Sequence, residues 1–288
     1  MSDACMDGSA TVAGEHDGVG ARVIGVRVAY DGSGFSGYQI QNDRRTVQGE
    51  IEKGLERLFS EHIRVASAGR TDSGVHARGQ FISFLLENRS IPAAKVAVAL
   101  NTRLPNDISA ITSEEMPEGF HARYSALQRV YRYYLHPSTA RDPLRDRYVW
   151  RVGRVPSIAK LNRLASCLIG YHDFTIFASA RDTTDRRLRT IDHAAFFPEG
   201  ECVVFEIAAR SFMWHMVRSV VGTILALEKA GADESVLKGM IASGDRSLAG
   251  ETAPAKGLVF HRVIYQAENM LAPGRVPGVA RSVTHVAE

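Results

Sequence analysis

Ala68-Gly69-Arg70-Thr71-Asp72-Ser73-Gly74-Val75-His76-Ala77 is the stretch on which the fold turns. It sits between two runs that read as strands, 63–68 and 80–86, and packs a carboxylate, a guanidinium, a hydroxyl and an imidazole into one bend. Gly69 and Gly74 permit backbone angles closed to other residues, so the bend is tight. Taken by itself, Asp72 reads as a carboxylate capping its own turn, which is the common use of Asp in such a place.

Outward from that bend, the chain alternates strand and helix. Ile24, Val26, Val28 and Tyr30 repeat with period two, the mark of a half-buried strand. Thr46 is placed to cap a helix that carries Val47, Ile51, Leu55, Leu58 and Phe59 on one face. A short helix over 92–102 and a strand near 108–112 follow. The second half repeats the alternation with a strand over 122–135, a helix over 156–169, a hairpin of 189–197 with 201–209, a long helix from Met213 to Ala230 and a strand over 257–265. The expected fold class is α+β, two α/β halves with mostly antiparallel mixed sheets flanked by helices around a central cleft. The expected organisation is an acidic disordered tail over 1–20, an N-terminal half over 21–118, a C-terminal half over 119–268 and a flexible tail over 269–288.

Composition narrows the class. The 288 residues are 45% apolar and 23% charged, enough for a packed core and unlike a disordered chain. No apolar run approaches a membrane span and no basic-then-apolar leader opens the sequence, so the expected setting is the cytoplasm. Three scattered cysteines suit neither a disulfide framework nor a zinc site. Net charge is +3, but residues 1–20 carry four acids and no base, and eight arginines against two aspartates fall between His121 and Arg154. Interleaved with Tyr124, Tyr131, Tyr133, Tyr134 and Tyr148, these arginines point to nucleic acid.

Three further stretches carry chemistry. Gly32-Ser-Gly-Phe-Ser-Gly37 has the form of a dinucleotide fingerprint, but Tyr38 to Asp43 separate it from the next helix, which is the wrong spacing for NAD. Arg129-Val-Tyr-Arg-Tyr-Tyr-Leu135 alternates so that Arg129, Tyr131, Tyr133 and Leu135 share a face, a surface suited to stacking a base or to packing a core. Arg210-Ser-Phe-Met-Trp-His-Met-Val-Arg218 leads into the long apolar helix, where Arg218 needs an acidic partner.

In this order, these stretches resemble the tRNA pseudouridine synthase A family, the tRNA pseudouridine(38–40) synthases. The resemblance runs from Arg27 to Tyr265 and rests on Tyr30-Asp-Gly with Gly37-Tyr-Gln, Gly69-Arg-Thr-Asp-Ser-Gly-Val-His-Ala77 and Phe120-His-Ala-Arg-Tyr-Ser125, then on Tyr131-Arg-Tyr-Tyr134, Ser211-Phe with Met216-Val-Arg218, and Ala253-Pro-Ala-Lys-Gly-Leu258. Ser73, Tyr38 and Met213-Trp214 depart from the commoner residues without removing a reactive group. The resemblance implies Asp72 as the catalytic aspartate, Tyr131 stacked on the target uracil, Arg218 as the basic partner of Asp72, Arg70 in base extrusion and Leu258 as a pocket wall. It implies no metal and no organic cofactor, a tRNA anticodon arm as substrate, and a homodimer with one tRNA spanning both subunits. No membrane and no DNA partner is expected. The chemistry is consistent with those roles: exchanging N1–C1′ for C5–C1′ needs no redox change, and attack on the sugar, attack on the base and removal of the 2′ proton all remain open to a carboxylate. A nucleotide inside the anticodon arm must also be flipped out. The alternative is a catalytically silent tRNA-binding or chaperone module of the same fold.

Overall fold

The computed structural model describes residues 20–179 and 187–266; the two expected tails lie almost wholly outside them. In chain order the elements are β1 (Arg22–Tyr30), α1 (Val47–Phe59), β2 (Ala66–Ser67), β3 (His76–Leu86), α2 (Val96–Asn101), β4 (Ile108–Met116), β5 (Ala126–His136), β6 (Trp150–Arg151), α3 (Ile158–Ser166), β7 (Gly170–Asp173), β8 (Leu188–Glu199), β9 (Cys202–Ala209), α4 (Met216–Ala230), α5 (Glu234–Ser243) and β10 (Leu258–Tyr265).

Local chemistry accounts for most of these. Thr46 accepts from the Gly49 amide at the start of α1, and Val47, Ile51, Leu55 and Phe59 bury one face of that helix. Helix α4 is later than the apolar run suggests, because Met213 to His215 form a turn that ends with His215 at φ 63°; Gly231 closes the helix in the same left-handed region. The hairpin of β8 and β9 turns at Gly200 and Glu201, after the Glu199↔Cys202 pair.

The sheet is mixed, as the α+β reading requires, and continuous. Its order is β4-β1-β3-β10-β5-β9-β8-β7, with β2 on β3 and β6 on β5. Every long pairing is antiparallel, and the two parallel ones are short: β6 on β5, and the last strand, β10, on β3 through Val259↔His76 and Phe260↔Ala77, while β10 pairs antiparallel with β5. The halves therefore share a single sheet, joined where the C-terminal strand is inserted. Gly79 makes that join possible, since a Cβ there would stand 2.4 Å from the His261 carbonyl oxygen. One buried cluster runs along the sheet from Ile24 and Ile82 in the first half to Phe205 and Val220 in the second.

Candidate active site

The bend between β2 and β3 is held from every side by groups other than Asp72. Gln80, fully buried in β3, donates from Nε2 to the Gly69 carbonyl (2.6 Å) and accepts at Oε1 from the Gly69 amide (3.3 Å). Tyr30 and Thr71 share a hydroxyl hydrogen bond of 2.8 Å, and burial pushes the Tyr30 phenol up to about 12. The Tyr38 amide donates to the Thr71 carbonyl (3.0 Å), and Ser73 Oγ donates to the Phe35 carbonyl (3.0 Å). The Gly32–Gly37 segment is thus a buttress for the bend. Gly37 has φ +98°, and a Cβ on it would stand 3.1 Å from the Thr71 oxygen. Gly32 fits only because it lacks a Cβ, which would lie 2.0 Å from the Val75 carbonyl oxygen.

Asp72 does not cap its own turn. The Val75 amide closes that turn on the Asp72 backbone carbonyl (3.1 Å), with Gly74 at φ +79°. The side chain points across the seam instead. Its Oδ2 lies 3.4 Å from Arg218 Nη1 and 3.5 Å from His215 Nε2, while Oδ1 accepts no hydrogen bond among the described residues. One oxygen faces two nitrogens and the other remains available to a ligand; the carboxylate is 23% exposed.

Arg218 sits in the first turn of α4 and is fixed by its Nε, which donates to the Ala253 carbonyl (2.7 Å). The Ala253 amide in turn donates to the Arg218 carbonyl (3.1 Å). Gly222 lets the segment come that close, because a Cβ there would lie 1.7 Å from the Glu251 oxygen. Further along, Tyr133 donates to the Pro254 carbonyl (2.7 Å), and Leu258, 5% exposed, stands opposite Tyr133 in register.

Tyr131 is walled edge-on by Phe260 (4.8 Å between ring centres) and Phe212 (5.1 Å). Its hydroxyl lies near Gly69, at the start of the bend, and makes no hydrogen bond among the described residues. Burial first, then the proximity of Tyr30 and Asp72, raise its phenol well above the ordinary tyrosine range, so it stays protonated at neutral pH. Arg70 is exposed, without a hydrogen bond or ion pair among the described residues, on the chain two residues before Asp72.

The structure therefore brings Asp72, Arg218 and Tyr131 into one neighbourhood, sets Leu258 in the wall behind Tyr133, and leaves Arg70 extended into solvent. Among the described residues no set of three or more His, Cys, Asp or Glu is placed to hold a metal, and no helix is long and apolar enough to cross a membrane.

The family model described as tRNA pseudouridine synthase matches residues 27–125 and 164–266. The tRNA pseudouridine synthase A of Treponema denticola is 40% identical over 251 residues, 85% of this chain and 94% of that protein. The chain belongs to the tRNA pseudouridine synthase family. Other members of the synthase family are similarly close: that of Halalkalibacterium halodurans is 40% identical over 83% of this chain and 91% of its own, and that of Moorella thermoacetica 38% identical over 83% and 98%.

Two residues of this family member escaped the sequence reading. His215 was inside the quoted 210–218 stretch, but nothing in the local pattern places it beside Asp72. Arg129 shares a face with Tyr131 as the alternation says, yet it is buried and turned inward: it makes five hydrogen bonds to the carbonyls of Ala68, Ala126, Arg123 and Arg210. Arg132 and Arg154 are also committed internally, to Glu206 with Glu199 and to Glu228. The basic stretch is therefore only partly a surface; Arg123, Arg141, Arg145, Arg147 and Arg151 are its exposed members.

Proposed function

We propose that this chain isomerises uridine to pseudouridine in the anticodon stem-loop of tRNA, at positions 38 to 40, with Asp72 as the catalytic carboxylate. The observation that carries the reading is the placement of Asp72 in a family member: held by its backbone, with Oδ2 against Arg218 and Oδ1 open. In the reaction the N1–C1′ bond breaks, the C5–C1′ bond forms, C5 loses a proton and N1 gains one, so nothing is consumed. Asp72 assists the cleavage and the release of the base. Arg218 keeps the carboxylate oriented and compensated. Tyr131 offers its ring to the detached uracil, which must turn over without leaving, and Leu258 supports that wall. Arg70, extended from the same bend, enters the space vacated by the flipped nucleotide.

No metal or organic cofactor enters this scheme. The working form is a homodimer in the cytoplasm, with one tRNA reaching both subunits. The test is to incubate the protein with unmodified tRNA transcripts and map pseudouridine by carbodiimide-dependent reverse-transcription stops. Wild type should create stops at positions 38 to 40; Asp72→Asn should bind tRNA within about threefold of wild type and create none. A wild type that binds tRNA without conversion makes the chain a binding module and overturns the proposal.

A further inference from the structure

A cavity of about 720 Å³ opens beside the bend, and nothing in the chemistry described above uses it. Its floor continues the two segments that build the Asp72–Arg218 pair: Gly74 comes two residues after Asp72, and Ala255 two residues after Ala253. Its outer wall is the 141–148 segment. That wall falls in the gap between the two stretches matched to the family, 27–125 and 164–266.

The lining is cationic. Arg141, Arg147 and Lys256 face one carboxylate, Asp146, so the cavity carries an excess of two positive charges. Asp146 is engaged by Lys256 Nζ at 3.0 Å and by Arg151 at 4.0 Å, and Arg147 reaches Asp31 at 3.4 Å. Arg141 is exposed and has no hydrogen bond or ion pair among the described residues. An uncommitted guanidinium of this kind suits a phosphate oxygen.

The wall is a built turn. The Leu144 amide donates to Asp142 Oδ1 (2.9 Å) and the Asp146 amide to the Asp142 carbonyl (2.8 Å). That turn holds Leu144 out at the rim, 87% exposed. Tyr148 anchors its far end, donating to Asp31 Oδ2 (3.0 Å) and lying edge-on to His76. One exposed leucine means little by itself. Here it stands on the rim of a cationic cavity whose floor includes Gly74, two residues along the chain from Asp72.

Resting on the function proposed above, we propose that this cavity seats the RNA strand adjoining the target nucleotide, with a phosphodiester against Arg141 and Lys256 and a ribose or base face against Leu144. The occupant is RNA rather than an acidic protein segment, because the cavity is floored by Gly74 and Ala255, from the two segments that build the Asp72–Arg218 pair, and offers an apolar contact alongside the charge.

The experiment uses the full chain and an unmodified tRNA transcript, with Arg141→Ala, Arg141→Lys and Leu144→Ser; both positions are exposed, and unchanged thermal melts establish folding. Arg141→Ala should raise KM by about three- to tenfold and reduce the slope of log Kd against log salt by about 0.7–0.9. Arg141→Lys should restore the slope. Leu144→Ser should raise KM by about two- to fivefold and leave the slope unchanged, since stacking on RNA is not a counterion effect. Ethylation interference should lose one phosphate near the target in Arg141→Ala. If wild type converts uridine but both alanine and serine variants keep its KM and salt slope, the subsite is refuted and the proposed function stands. If wild type converts no uridine in any tRNA, the proposed function fails first and the subsite with it.

Discussion

Replacing Arg129 by methionine isolates what a buried, carbonyl-bound guanidinium does for this site. The substitution keeps an unbranched side chain while deleting all five donors. Summing five charge-assisted bonds would overstate the loss, because burying the cation already costs several kcal/mol. The carbonyls of Arg123 and Arg210 lie toward the edge of the cluster, and water can replace the guanidinium there. The carbonyls of Ala68 and Ala126 are buried and would be orphaned. At about 1–3 kcal/mol for each buried acceptor left unmade, the net loss is about 3 kcal/mol. For a chain of this size that is about 6–12 °C in Tm. Ala68 leads directly into the bend, so kcat should fall by about tenfold while tRNA affinity stays within about threefold. Thermal melts and single-turnover conversion read the two effects. Arg132→Met is the control: its partner Glu206 still has Arg262 at 3.8 Å and His193 at 3.9 Å, and the Tm shift should be less than half as large. A Tm within about 2 °C of wild type for Arg129→Met would refute the reasoning, since no carbonyl could then have been left without a donor.

Two more outcomes can be checked. Tyr131→Leu should lose turnover far more than tRNA binding, and Tyr131→Phe then reports whether the hydroxyl matters beyond the ring; equal loss of turnover and binding in Tyr131→Leu would make the residue purely structural. His261 is lowered to about 4 by burial, with Arg132, Arg262 and Arg78 adding to the effect and Glu206 opposing it. The unfolded chain binds a proton here below about pH 6.5 and the folded chain only below about 4, so stability rises with pH through that window and is lost as pH falls through it. Solvent screening at this half-buried position limits the effect to about 1–2 kcal/mol. Urea melts at pH 7 and pH 4.5 should show His261→Gln losing less stability than wild type on acidification; an identical loss would exclude His261 as the source.

Strand and helix identity was legible wherever apolar residues recur with a regular period, even in β1, where the sequence suggests a half-buried strand and the structure covers both faces. The alternation of Ile24, Val26, Val28 and Tyr30 is β1, and Thr46 with the spacing from Val47 to Phe59 is α1. Strand β3 starts at His76, not near 80, because His76-Ala-Arg-Gly79 carries no apolar alternation to announce a strand. Helix α5 was not read, although Asp233 caps it with bonds to Ser235 and Val236, since Gly239 and its ten-residue length weaken the periodic signal. The position of β10 was beyond the sequence altogether. Its apolar run announces a strand, but partner and direction are set by packing between segments far apart in the chain. The same limit applies to the candidate site: Asp72, Tyr131 and Arg218 stand out in the sequence through motif order, whereas the approach of His215 to Asp72 and the inward hydrogen bonds of Arg129 depend on which segments meet.

The seam explains why so many bonds converge on one bend. Strand β10 is registered to β5 by seven residue pairs but to β3 by only two. Asp72 comes from the β3 side, and Tyr131, His215 and Arg218 from the other, so the candidate site spans the least paired junction along the main strand order. Backbone pairing there cannot hold a carboxylate within a few tenths of an ångström of its partners, the precision that the reaction proposed for Asp72 requires. Side chains supply the missing constraint: Arg129 reaches across to the Ala68 carbonyl, and Ser83 Oγ accepts from the Ala122 amide at 2.9 Å. Gly32 and Gly37 serve the same end by letting the neighbouring loop press on the bend without a Cβ between them. A glycine pattern with the form of a cofactor-binding loop is thereby explained as mechanical support for a carboxylate. A Cβ at Gly32 would displace the Val75 backbone outright, whereas the milder contact at Gly37, 3.1 Å from the Thr71 oxygen, should cost more turnover than stability, read by thermal melts beside single-turnover conversion.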